Sequence, residues 1–133
     1  MGRTPQHVTD AELAILEVLW DHGEQPVRAI ADRLYPGGGA SENATVQKLC
    51  ERLLAKGCVE VDRAVRPRTY RAAVERGDLI ERQLESVADR LCSGSFLPLI
   101  SRLVDGQKLT PEDIDSLREQ IERLDQERGD RDA

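Results

Sequence analysis

Residues 41–71 constrain the fold more than any other stretch of the chain. Val46, Leu49, Cys50, Leu53 and Leu54 recur at helical spacing and predict one buried helix face. Thr45, Gln47, Lys48, Glu51 and Arg52 are left on the polar outside, and Gly57 is placed to stop the helix. Cys58–Asp62 then alternates roughly as a strand does, and Thr69–Arg71 can pair back to it. Arg63–Arg68 makes the tip between them, where Pro67 cannot donate to a ladder. A helix with a polar, partly basic outer face, followed by a two-stranded ribbon with an arginine-rich tip, is the outline of a recognition helix and a wing.

Charge is concentrated in the same place. Residues 41–71 carry Lys48, Arg52, Lys56, Arg63, Arg66, Arg68 and Arg71 against Glu42, Glu51, Glu60 and Asp62, a net of +3. The whole chain of 133 residues sums to −6. Positive charge gathered into one segment of an acidic protein creates a local field that attracts a polyanion.

The flanking segments supply the rest of a helix-turn-helix. Thr9-Asp10-Ala11-Glu12 has the form of a capping box, and Leu13, Ile15, Leu16, Leu19 and Trp20 follow as the buried side of a helix over about 10–22. Pro26 suits the first turn of a second helix, with Val27, Ile30, Ala31 and Leu34 as its stripe and Pro36-Gly37-Gly38-Gly39 as its end. Ser41 or Asn43 can cap the third. With a single Phe, a single Trp and two Tyr, the core must be aliphatic, which suits helices packed on helices. The predicted fold is mainly α with a small β-hairpin: a winged helix-turn-helix domain over residues 1–75, then a helical dimerisation element over 76–133.

That second part is read from three amphipathic segments. Asp78 can cap a helix carrying Ile80, Leu84, Val87, Ala88 and Leu91, interrupted by Ser93-Gly94-Ser95. Phe96, Leu99, Ile100, Leu103 and Val104 form a second stripe, ended by Gly106. Thr110-Pro111-Glu112-Asp113 opens a third helix, with acids on the positive end of its dipole. Its apolar residues Ile114, Leu117, Ile121 and Leu124 make a narrow seam, and about 129–133 read as a frayed end. Such stripes bury little by themselves, so a second copy of the chain is the expected cover.

Several blocks of this sequence resemble the penicillinase repressor family, which includes repressors of β-lactamase, methicillin-resistance and some copper-export genes. Thr9-Asp10-Ala11-Glu12 with Leu19-Trp20 resembles its opening helix. Thr45-Val46, Leu49, Arg52-Leu53 and Lys56-Gly57 resemble its recognition helix and exit, and Tyr70 with Val74 its second wing strand. Gly94-Ser95-Phe96, Leu99, Leu109-Thr110, Ile114 and Leu117 resemble its tail. The resemblance implies a homodimeric repressor on palindromic operators in double-stranded DNA. For some members it also implies relief by proteolysis through a membrane sensor. The bond cut in the family is Asn-Phe, and Arg102-Leu103 stands at the matching place. The cysteine-pair tail of the copper-responsive branch is missing, the last cysteine being Cys92.

The candidate DNA-contacting residues are Ser41, Asn43, Ala44, Thr45, Gln47, Lys48, Arg52, Arg63, Arg66 and Arg68. Lys48 suits guanine O6 and N7, and Gln47 suits adenine N6 and N7; a solvated helix face is the plain alternative. Ser41 and Thr45 suit either phosphate contact or capping. The wing arginines suit phosphate or minor groove, or equally the protection of an edge strand. Cys50 and Cys58 read as core thiols, and His7 and His22 stand apart from them. No metal, cofactor or catalytic constellation is expected. The absence of an apolar leader among the first ten residues and of an 18-residue apolar run predicts neither signal peptide nor membrane span. Three widely spaced cysteines fit a reducing cytoplasm. A winged-helix protein-interaction module and a ligand-sensing one-component regulator are the competing functional classes.

Overall fold

A computed structural model of the protein describes residues 7–132. Its elements run α1 (Asp10–His22), β1 (Gln25–Pro26), α2 (Val27–Leu34), α3 (Ala40–Ala55), β2 (Val59–Asp62), β3 (Thr69–Ala72), α4 (Arg76–Leu91), α5 (Leu97–Asp105) and α6 (Pro111–Asp132). The chain divides into two compact units, the first ending at Ser86 and the second beginning at Val87, inside α4. The first is a winged helix-turn-helix: three helices packed on a small antiparallel sheet in the order β1-β3-β2.

The α1 capping box forms as the sequence predicts. The Glu12 amide donates to Thr9 Oγ1 at 3.2 Å, and the Thr9 amide donates to Glu12 Oε1 at 2.9 Å. Gly57 follows α3 in the left-handed region, with φ of 74°, which a residue with a Cβ adopts only at a cost. Ile15, Leu16, Ile30, Val46, Leu53 and Val59 are completely or almost completely buried in one cluster, which also takes in Tyr70, Val74 and Leu79. This is the aliphatic core that the composition requires. Leu79 lies in α4, so the first turns of that helix belong to this core. The Trp20 indole N–H donates to the Val74 carbonyl at 2.8 Å, and the Arg76 guanidinium stacks over its ring at 4.6 Å. α4 is thereby fixed where it leaves the wing.

Five local expectations are corrected. The ribbon has a third strand: Gln25 pairs with Tyr70 and Pro26 with Thr69. Two residues are too few to show a period, and Pro26, lacking an N–H, sits in this edge strand and immediately before α2 rather than in its first turn. Neither Ser41 nor Asn43 caps α3. The helix begins at Ala40, and the Glu42 carboxylate accepts from the Gly39 amide at 2.8 Å. Asp78 likewise lies within the first turn of α4, where its carboxylate accepts from the Glu75 amide at 3.1 Å. Finally, α6 continues to Asp132 through the residues that read as frayed; Ala133 lies outside the described residues, as does most of the segment that bears on a signal peptide.

In the second unit, the Gly94 amide returns to the Ala88 carbonyl at 2.9 Å, and Ser93 and Gly94 both take left-handed φ. The predicted interruption is thus a true helix end. α5 stops at Gly106, but the left-handed residue there is Gln107. Thr110 and Asp113 cap α6 reciprocally, each accepting from the other's amide at 3.0 Å. Leu84, Leu91, Phe96, Ile100, Leu103, Ile114, Leu117, Ile121 and Leu124 are exposed in the single chain, with Val87 and Leu99 half-buried.

Candidate nucleic-acid interface

The outer face of α3 is built by subtraction. Val46, Leu49, Cys50 and Leu53 turn into the core, so Ser41, Ala44, Thr45, Lys48 and Arg52 stand exposed, with Asn43 and Gln47 half-buried at its edge. Thr45 Oγ1 donates to the Ser41 carbonyl at 3.1 Å, which uses its proton within the helix and leaves its lone pairs outward. Gln47 Nε2 donates to Glu51 Oε1 at 3.0 Å and reaches Tyr70 Oη at 3.4 Å.

The wing follows from β2 and β3, paired from Val59–Ala72 to Asp62–Thr69. Arg63, Arg66 and Arg68 are all exposed on the tip, and the Ala64 amide donates to the Asp62 carboxylate at 3.0 Å to turn the chain. One cleft of about 310 Å³ brings the two parts together: Asn43 and Gln47 from α3, Pro67 and Arg68 from the wing, Tyr70 from β3, and Pro26, Val27 and Arg28 from the start of α2. The sequence reading missed Arg28. Its signal was its place one residue past the start of the Val27–Ile30–Ala31–Leu34 stripe, on the polar side of α2.

The basic cluster is not uniform. Lys56 pairs with the buried Glu12 at 2.6 Å, and Arg71 with Glu60 at 3.0 Å and Glu24 at 3.6 Å. Those two cations are neutralised internally. Among the described residues, Lys48, Arg52, Arg63, Arg66 and Arg68 have no such partner. All five belong to α3 or the wing tip. The unpaired positive charge of residues 41–71 thus lies on α3 and the wing tip.

Cys50 and Cys58 are buried thiols. Burial, aided by the neighbouring Glu51 carboxylate, pushes the Cys50 thiol up to about 12. Burial also raises Cys58, against the opposing pull of Arg82 and Lys56. Among the described residues no group of His, Cys, Asp or Glu gathers as a metal site, and no helix is long and apolar enough to cross a membrane. Arg102 and Leu103 lie exposed within α5.

The sequence profile of the penicillinase repressor family matches residues 8–123. The chain belongs to this family, whose members are transcriptional repressors rather than enzymes. It is 25% identical over 122 residues to the penicillinase repressor of Bacillus licheniformis, covering 92% of this chain and 94% of that one. It is 24% identical over 119 residues to an uncharacterised 16.5 kDa protein of Latilactobacillus sakei, covering 90% and 81%. A solved MarR family protein from Bacillus stearothermophilus superimposes with a TM-score of 0.44 at 20% identity, over 92% of this chain and 76% of that one.

Proposed function

We propose that the chain is a homodimeric repressor that grips a palindromic operator, one half-site per α3 and wing. The observation that carries this reading is the placement of the five cations of residues 41–71 that have no acidic partner among the described residues. Lys48 and Arg52 lie on the outer face of α3, and Arg63, Arg66 and Arg68 on the adjoining tip, in a chain whose net charge is −6. In this reading α3 lies in the major groove. Lys48 and Gln47 face base edges, with Asn43 and Ala44 beside them, and Ser41, Thr45 and the first-turn amides hold phosphate. Arg63, Arg66 and Arg68, joined by Arg28, hold the flanking backbone and add affinity rather than sequence preference. The exposed apolar residues of α5 and α6 serve as the dimer seam.

Selection from a random duplex pool tests the reading. Enrichment of an inverted repeat, with half-sites about one helical turn apart or a multiple of it, is expected. Recovery of no preferred sequence would remove it and favour a protein-interaction module.

A further inference from the structure

We infer that Gln47 reads its base through its carbonyl oxygen alone, with Tyr70 and Glu51 as positioning residues that set this polarity. The inference rests on the proposed reading of α3 as the helix in the major groove. A carboxylate can only accept, so the nitrogen of the Gln47 amide must be the atom that faces Glu51, 3.0 Å away. Chemistry therefore fixes the amide orientation. The same nitrogen lies 3.4 Å from Tyr70 Oη. An amide nitrogen has two hydrogens, and each has a protein oxygen within reach, Glu51 Oε1 closely and Tyr70 Oη at the long end of the range. One runs along α3, four residues on. The other crosses to β3, where Tyr70 is 3% exposed and paired with both β1 and β2. The acceptor on the sheet side is thus held by the fold and not by a mobile side chain.

A glutamine with both donors occupied cannot form the two-bond contact with adenine, which needs a donor for N7 as well as an acceptor for N6. It can accept one bond from an exocyclic amine. In the major groove adenine N6 and cytosine N4 carry such amines, whereas guanine O6 and thymine O4 would set two acceptors against each other. The expected specificity at this position is adenine or cytosine, with guanine and thymine rejected. The sequence alone suggests adenine only, because it does not show what the amide nitrogen is already doing.

The test selects duplexes from a random pool with the full-length protein and with Gln47→Ala, Glu51→Ala and Tyr70→Phe. The wild type should show one position per half-site that admits adenine and cytosine, and Gln47→Ala should flatten that position. Glu51→Ala and Tyr70→Phe each free a donor. Preference for adenine over cytosine there should rise about two- to tenfold, the worth of one hydrogen bond. A purely structural role for Tyr70 or Glu51 would lower affinity for all sequences alike and leave this ratio unmoved. A Gln47-dependent guanine or thymine, an unchanged ratio in both variants, or no Gln47-dependent position overturns the inference while leaving operator binding intact. Failure of the wild type to enrich any sequence overturns the underlying reading and the inference with it.

Discussion

Among the described residues Glu12 is the one fully buried charged side chain, and its two oxygens differ. Oε1 accepts from Lys56 at 2.6 Å and from the Thr9 amide at 2.9 Å, while Oε2 has no partner. Burial alone would raise its carboxyl pKa, but the bonds from Lys56 and Thr9 outweigh it and hold the group below the ordinary glutamate value. The pair contributes its stabilisation in full at neutral pH, and this is lost as pH falls through the lowered folded-state value. Lys56→Met leaves a buried carboxylate uncompensated and should cost about 3 kcal/mol at neutral pH. The deficit should shrink near pH 4, where protonation relieves the charge; urea unfolding at the two pH values reads both effects. On the polar face, Lys48→Ala should cost about 1–3 kcal/mol on the operator and relax preference at one position. Neutralising Arg63, Arg66 or Arg68 should weaken all duplexes similarly and reduce the salt slope by about 1 per lost phosphate contact. Titration of operator and random duplex over a range of salt separates the two behaviours, and equal losses on both for Lys48→Ala would contradict its assignment.

The helices were readable from the sequence because each carries its own period and punctuation. Thr9 with Glu12, Gly57, Ser93-Gly94 and Thr110 with Asp113 mark their ends by local chemistry. Strand β1 is not readable, since two residues acquire extended structure only by pairing with β3, 45 residues later for Gln25–Tyr70 and 43 for Pro26–Thr69. The α3 start differs from expectation for a related reason. Ser41 and Asn43 are good caps by type, but the Glu42 bond to Gly39 fixes an earlier start. The candidate interface was readable as a list of polar residues on a helix and a tip. The pairing of Lys56 and Arg71 with acids, and the entry of Arg28 into the cleft, are tertiary facts. α5 carries an element-level prediction. Arg102 and Leu103 lie within its helical turns, so a protease that requires extended backbone must wait for local opening. If derepression proceeds by cleavage, limited proteolysis should cut α5 slowly in the intact chain and faster after Ser101→Pro, which places a proline in the helix interior. Following chain size during cell-wall antibiotic stress then decides the route, and derepression with the chain still full length excludes it.

For the molecule as a whole, the second unit carries much of the exposed apolar surface, from Leu91 at 75% and Leu97 at 68% to the α6 stripe. Paired half-site binding predicts a dimer in sedimentation at micromolar concentration, and a monomer there would contradict the assignment of α5 and α6. Because Leu79 is part of the first unit's core, the truncation that isolates this unit ends at Ser86. It should remain folded and bind an operator much more weakly than the intact chain. The joint around Trp20 offers a way to watch these events separately. This is the sole tryptophan of the sequence, and its ring lies between the Val74 carbonyl and the Arg76 guanidinium. Its intrinsic fluorescence is therefore an optical reporter confined to one place, the junction of the wing with α4. Emission should shift when that junction melts and stay constant when only α6 is removed, giving the folding of the DNA-reading head a signal of its own without any added dye.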